Sequence, residues 1–242
     1  MRWNRSGQLH AACFVVLAVN LFQTPPPGAL PTNQIPGQIP ARPPTPLVVI
    51  DPAHGGADSG AALNAAIPEK DVTLVFARRL RQELLSRGIQ SQLLRDSDST
   101  LATDQRASQV NALQPRLYVA IHATSQGSGL RLYTAILPTG EQDVGPFLDW
   151  RTAQAGALPR SRTVEEQIAA AIQKTSFPVR KLSAALRPLN SVIAPAIAIE
   201  VAPTNGDVSQ LASSEYQQML CAELADAITA ALPWLTRAVP PQ

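Results

Sequence analysis

From Leu47 onward the chain alternates short apolar runs with longer stretches of helical period, which restricts it to a layered α/β architecture. "LVVI" at 47–50 reads as the first strand. The following "EKDVTLVFARRLRQELLSRG" places Val72, Val75, Phe76, Leu80, Leu84 and Leu85 on one helical face and closes at Gly88. "IQSQLLR" reads as a strand, "TDQRASQVNAL" as a helix opened by Thr103 or Asp104, and "RLYVAIHA" as a third strand. "GLRLYTAIL" is expected nearer a sheet edge. "FLDWRTAQAGALPRSRT" fits no element, although 163–174 has helical spacing. "PAIAIEVA" reads as a buried strand and "SSEYQQMLCAELADAITAAL" as a closing helix capped by Ser213 or Ser214.

The segment before this pattern cannot belong to it. Residues 24–46 hold nine of the 22 prolines, which rules out a continuous helix or a central strand and leaves an extended linker. Ahead of it, Arg2 and Arg5 precede the apolar "LHAACFVVLAVNLF", too short for a comfortable membrane span. Residues 1–23 are therefore read as an export signal or signal anchor, the only expected tie to a membrane, and the protein as periplasmic, wall-associated or extracellular. Residues 47–237 remain as one domain, long enough to bury a core.

The formal net charge is +2, but Arg2, Arg5 and Arg42 all precede Leu47, leaving 17 basic against 18 acidic residues in the folded part. With no basic stripe interleaved with aromatics, nucleic acid is not an expected partner. Cys221 lies in the closing helix as a core residue and Cys13 in the apolar leader, so no internal disulfide is expected.

Four polar residues fall where buried strands end or a helix begins. His54 follows the first strand, His122 ends "LYVAI", Glu69 enters the first helix after Pro68, and Glu200 sits late in "PAIAIEV". In an open α/β sheet the carboxyl ends of the strands line the ligand crevice, so residues far apart in sequence meet there. Two histidines and one carboxylate make a common catalytic Zn²⁺ set, and a further carboxylate supplies a general base. Each also has a plainer explanation. Glu69 can complement the helix dipole, His122 can be a satisfied core imidazole, and His54 can be loop surface. Glu200, between Ile199 and Val201, is costly to bury without a partner or a task. Asp51 reads equally as an acceptor for a ligand histidine or as a turn former before Pro52.

The blocks "VVIDPAHGGADSGA", "EKDVTLVFARRL", "LLRDSDSTLATDQRASQVNAL", "YVAIHA" and "PAIAIEVAPTN" occur in the order seen in zinc-dependent N-acetylmuramoyl-L-alanine amidases of the third amidase family. The resemblance covers essentially all of 47–232. It implies a mixed, largely parallel sheet with helices on both faces, zinc on His54, Glu69 and His122, and Glu200 as catalytic glutamate. The implied substrate is peptidoglycan, cut between N-acetylmuramic acid and L-alanine. Arg187 is a candidate clamp for a stem-peptide carboxylate, with a solvated arginine as its plainer reading. No residue pattern identifies an activator protein. Departures from the family pattern at Ala53, Thr124 and 202–204 touch the cleft lining more than the metal ligands. A zinc exopeptidase acting on free peptides, or a non-catalytic peptidoglycan-binding domain, are the alternatives on the same residues.

Overall fold

The structure, a computed structural model, describes residues 47–138 and 149–236. The signal or anchor and the linker expected over 1–46 lie outside the described residues, as do 139–148 and 237–242. Among the described residues no helix is long and apolar enough to cross a membrane.

Among the described residues six strands form one sheet: β1 (Leu47–Pro52), β2 (Gln90–Leu93), β3 (Leu117–Ala123), β4 (Gly129–Ala135), β5 (Val179–Ala184) and β6 (Ala196–Ala202), in the order β2-β1-β3-β6-β4-β5. Four of the five pairings are parallel and β4–β6 is antiparallel, so the sheet is mixed and largely parallel, as expected. β4 lies one strand in from the edge. The edge itself is β5, which the sequence reading did not assign.

Helices α1 (Glu69–Ser86), α3 (Leu158–Ile172) and α4 (Ser214–Ala231) cover one face, while α2 (Thr103–Leu113) and a 3₁₀ turn at Leu189–Ser191 cover the other. α4 starts as expected, with the Ser213 hydroxyl accepting from the Tyr216 N–H. The three-helix face buries Ile50, Val119, Ile121, Leu132, Ile197 and Ile199 against Phe76, Leu80, Ile168 and Leu224. Each such side chain contributes about 1.5–3 kcal/mol on leaving water. Cys221 is buried among them. Two members of the expected α1 stripe fall outside the core: Val75 and Leu85 are exposed, because the buried arc rotates toward Thr73 and Ala77.

Candidate active site

β1 runs straight into the turn that carries His54. His54 itself has φ 62, a left-handed conformation that costs a non-glycine residue about 1–3 kcal/mol unless the surroundings enforce it. Two buried guanidiniums supply that enforcement. Arg95 donates to the Pro52 and Ala53 carbonyls, and Arg106 donates to the Pro52 and His54 carbonyls at 3.0 and 2.6 Å. Arg106 also pairs with Asp51, whose other oxygen accepts from the Tyr118 hydroxyl at 2.6 Å. Asp51 is therefore the anchor of the arginine that braces the turn. It contacts neither candidate histidine through a hydrogen bond and does not serve as a turn former, so both sequence readings of it are replaced.

The histidine acceptor is Asp58, whose Oδ2 lies 2.8 Å from His54 Nδ1. Nδ1 donates to Asp58 and Nε2 donates to Glu69 Oε2 at 3.1 Å; with Asp58 holding the Nδ1 proton, Nε2 is the nitrogen that gives up its proton to a metal. His122, at the end of β3, brings Nδ1 to 3.0 Å from Glu69 Oε1. One ligand atom from each of His54, Glu69 and His122 lies within 4.8 Å of the others.

The carboxylate of Glu69 is buried and reaches between the two imidazoles, although its residue opens α1. It also accepts from the Ala61 and Ala123 N–H groups at 3.0 and 3.2 Å. The helix-dipole explanation does not account for this orientation. Burial acts to raise the Glu69 carboxyl, but the bonds from His122, His54 and Ala61 outweigh it and hold the group well below the usual carboxylate range. The hydrogen bond to Glu69 raises His54 in turn, against desolvation.

These residues fit a zinc ion by their chemistry and by the room left for them. Two nitrogens and a carboxylate are the His₂Glu donor set of catalytic zinc sites. Gly60, at φ +66, borders the cluster, and a Cβ there would stand 2.6 Å from His54 Cδ2 and 2.8 Å from Glu69 Oε2. Only glycine gives both ligands their space.

The family model for N-acetylmuramoyl-L-alanine amidases matches residues 48–230. The chain belongs to that family. Among its relatives, the uncharacterised protein YqiI of Bacillus subtilis is 30% identical over 185 residues, covering 75% of this chain and 80% of that protein. An endolysin of Bacillus phage SPP1 is 37% identical over 102 residues, 41% of this chain, and the match spans 37% of the endolysin. The solved N-acetylmuramoyl-L-alanine amidase AmiC2 of Nostoc punctiforme superposes with a TM-score of 0.57 at 27% identity, covering 76% of this chain and 95% of that one.

On the amidase sheet, Glu200 sits beside His122 at the same register level, one strand over on β6. Its Oε2 accepts from Arg131 Nη1 at 2.6 Å and from the Tyr133 hydroxyl at 3.0 Å, both on antiparallel β4. Arg131 is fixed in turn by donating from Nη2 to the Gln126 carbonyl at 2.6 Å. Sequence reading missed Asp58, Gly60, Arg131 and Tyr133. Arg131 and Tyr133 alternate with the buried Leu130 and Leu132, and that period of two was the available signal.

Arg187 is not part of the ligand cluster. It lines the 90 Å³ cleft beside His54, Asp58 and His122, and its guanidinium stacks over the Trp150 ring at 4.5 Å from the centroid.

Proposed function

We propose that this chain hydrolyses the amide joining N-acetylmuramic acid to the L-alanine of the peptidoglycan stem peptide, with His54, Glu69 and His122 holding zinc and Glu200 acting as general base. One observation carries the reading: in a chain of the amidase family, a His₂Glu cluster closes to within 4.8 Å beside a fourth carboxylate at the same sheet level. Zinc bound there would supply Lewis acidity, acidifying water and polarising the lactyl carbonyl.

The chain's own residues divide the remaining work. Glu69 stays ionised as a ligand, because its donors stabilise the charged form. Asp58 fixes the His54 ring so that Nε2 points inward. Arg131 and Tyr133 both hold Glu200 by Oε2, and Oε1, which accepts no bond among the described residues, takes the proton of the attacking water. As the C–O bond forms and the C–N bond breaks, Glu200 returns that proton to the leaving L-alanine nitrogen. The products are a lactyl carboxylic acid and a stem peptide with a free amino terminus. Arg2, Arg5 and the apolar stretch after them support an exported enzyme acting on the wall.

Metal analysis with digestion of purified peptidoglycan tests the reading. The expected result is about one zinc per chain and release of stem peptides beginning with L-alanine. A zinc-loaded protein that trims free peptides but leaves peptidoglycan intact is an exopeptidase instead.

A further inference from the structure

Beside the metal cleft lies a larger cavity of about 440 Å³, and Thr103 and Arg187 line both, so the two adjoin along a shared wall. Its volume falls in the range of small-ligand sites. Its walls carry two opposite charges, Arg187 and Asp104, which form no ion pair with each other among the described residues. Arg187 lies over Trp150, its Cζ 4.5 Å from the ring centroid, and among the described residues its N–H groups make no hydrogen bond or ion pair. Among the described residues Asp104 is engaged only by the adjacent Gln105 N–H, at 2.9 Å. Asn111 adds an amide to the same wall, though its own bonds go to the Ser191 carbonyl and the Ile193 N–H.

We propose that this cavity binds the stem-peptide residue that carries both an ammonium and a carboxylate, its carboxylate on the Arg187 fork and its ammonium on Asp104. The inference rests on the amidase reading, because it takes the scissile amide to lie at the His54, Glu69 and His122 cluster and runs the peptide from there along the shared wall. A neutral glycan would leave both charges unmatched, whereas a zwitterionic diamino acid matches both at once. A stem whose diamino acid is lysine offers the ammonium alone. The cavity is thus a specificity site for the diaminopimelate type of wall.

The test is calorimetry of the free tetrapeptide L-alanyl-γ-D-glutamyl-meso-diaminopimelyl-D-alanine, and of its lysine counterpart, in which the lysine α-carboxyl is taken up in the amide to D-alanine, with the metal-free protein. The diaminopimelate peptide should bind at least about tenfold more tightly, the worth of one charge-assisted bidentate contact. Arg187→Ala should erase that preference, Arg187→Lys should restore part of it, and Asp104→Asn should weaken both peptides. Equal affinity of the two peptides for the unaltered protein, or a preference that survives Arg187→Ala, overturns the proposal. Turnover separates this failure from failure of the amidase reading. Zinc-loaded protein that cleaves both muropeptides at equal rates keeps the activity and loses the pocket, and protein that cleaves neither loses the activity.

Discussion

The two faces of one sheet have been given different work, and the strands that make them are the same strands. On the three-helix face β3 and β6 present Leu117, Val119, Ile121, Ile197, Ile199 and Val201, all buried. On the other face the alternate residues are Tyr118, Ala120, His122, Ala196, Ala198 and Glu200, small or polar, under the thinner cover of α2. Branched apolar side chains fill space and set stability. Alanines leave room, and the polar residues at the carboxyl ends of the strands occupy it. Stability and chemistry are therefore separable at single-residue resolution, since neighbours along a strand point opposite ways.

The strongest test of that separation is a pair of adjacent substitutions on β6. Glu200→Gln removes the proposed proton acceptor but keeps its shape, so turnover should fall about 10²- to 10⁴-fold, mostly in kcat, with zinc content and thermal midpoint unchanged. Ile199→Ala leaves a hole among the three helices and should cost about 2–5 kcal/mol in denaturant titration, while the folded fraction keeps its kcat. If Glu200→Gln loses zinc, the residue is a ligand and the division of roles fails. If Ile199→Ala lowers kcat of the folded protein as much as Glu200→Gln does, the faces are not independent.

The same parity explains how much could be read in advance. Strand, helix, strand order was legible because apolar runs and helical periods are local signals, and α2 and β6 lie close to where those signals put them. His54, His122 and Glu200 stood out because each polar side chain interrupts or ends an apolar run. β5 was not legible: at the sheet edge its "VRKLSA" is mostly exposed and carries no apolar run. Asp58, Gly60, Arg131 and Tyr133 were missed for a different reason. Their roles depend on which strand lies beside which, and on how a turn folds back over a histidine. The misreading of Asp51 has the same origin, since its partner Arg106 lies 55 residues further along the chain.

A smaller effect is expected one shell out from the metal ligands. Asp58 is mostly exposed and lies on the functional edge, so its removal should leave folding nearly untouched. Asp58→Asn weakens the acceptor that orients His54, and zinc affinity should drop about 10- to 100-fold, measured by competition with a chromophoric chelator. Unchanged affinity would show that the carbonyl bonds from Arg95 and Arg106 alone set the His54 ring, and that Asp58 is an ordinary surface carboxylate.

The smallest effect concerns a second buried glutamate, which sharpens the contrast between the two regions. Glu69 and Glu165 are about equally buried, at 5% and 7% exposure, yet their acidities move in opposite directions. In both, burial favours the protonated form. Glu69 faces two imidazoles and two N–H groups, which reverse the effect, whereas Oε1 of Glu165 has no hydrogen-bond partner among the described residues and desolvation pushes this carboxyl up to about 7. Lys181, the Leu182 N–H and Arg162 favour the charged form, and Glu166 opposes it, but together they do not overcome burial.

The sign of the resulting pH dependence follows directly. Because the carboxyl is raised from 4.5 in the unfolded chain to about 7 in the native one, the native state binds more protons between those values. Stability is lost as pH rises through that window and levels off above it. Glu165→Gln removes the ionisation and keeps the shape, so it should stabilise the protein at pH 8 by about 1–2 kcal/mol and give almost no gain at pH 5. The gain stays below the full linkage value because the ionised side chain can swing toward Lys181 and water. Denaturant titrations of both proteins at the two pH values measure it, and the difference between proteins cancels the pH dependence of zinc binding common to both. An equal gain at pH 5 and pH 8 would mean that the amide packs better than either form of the acid, and that Glu165 carries no buried charge in the native protein.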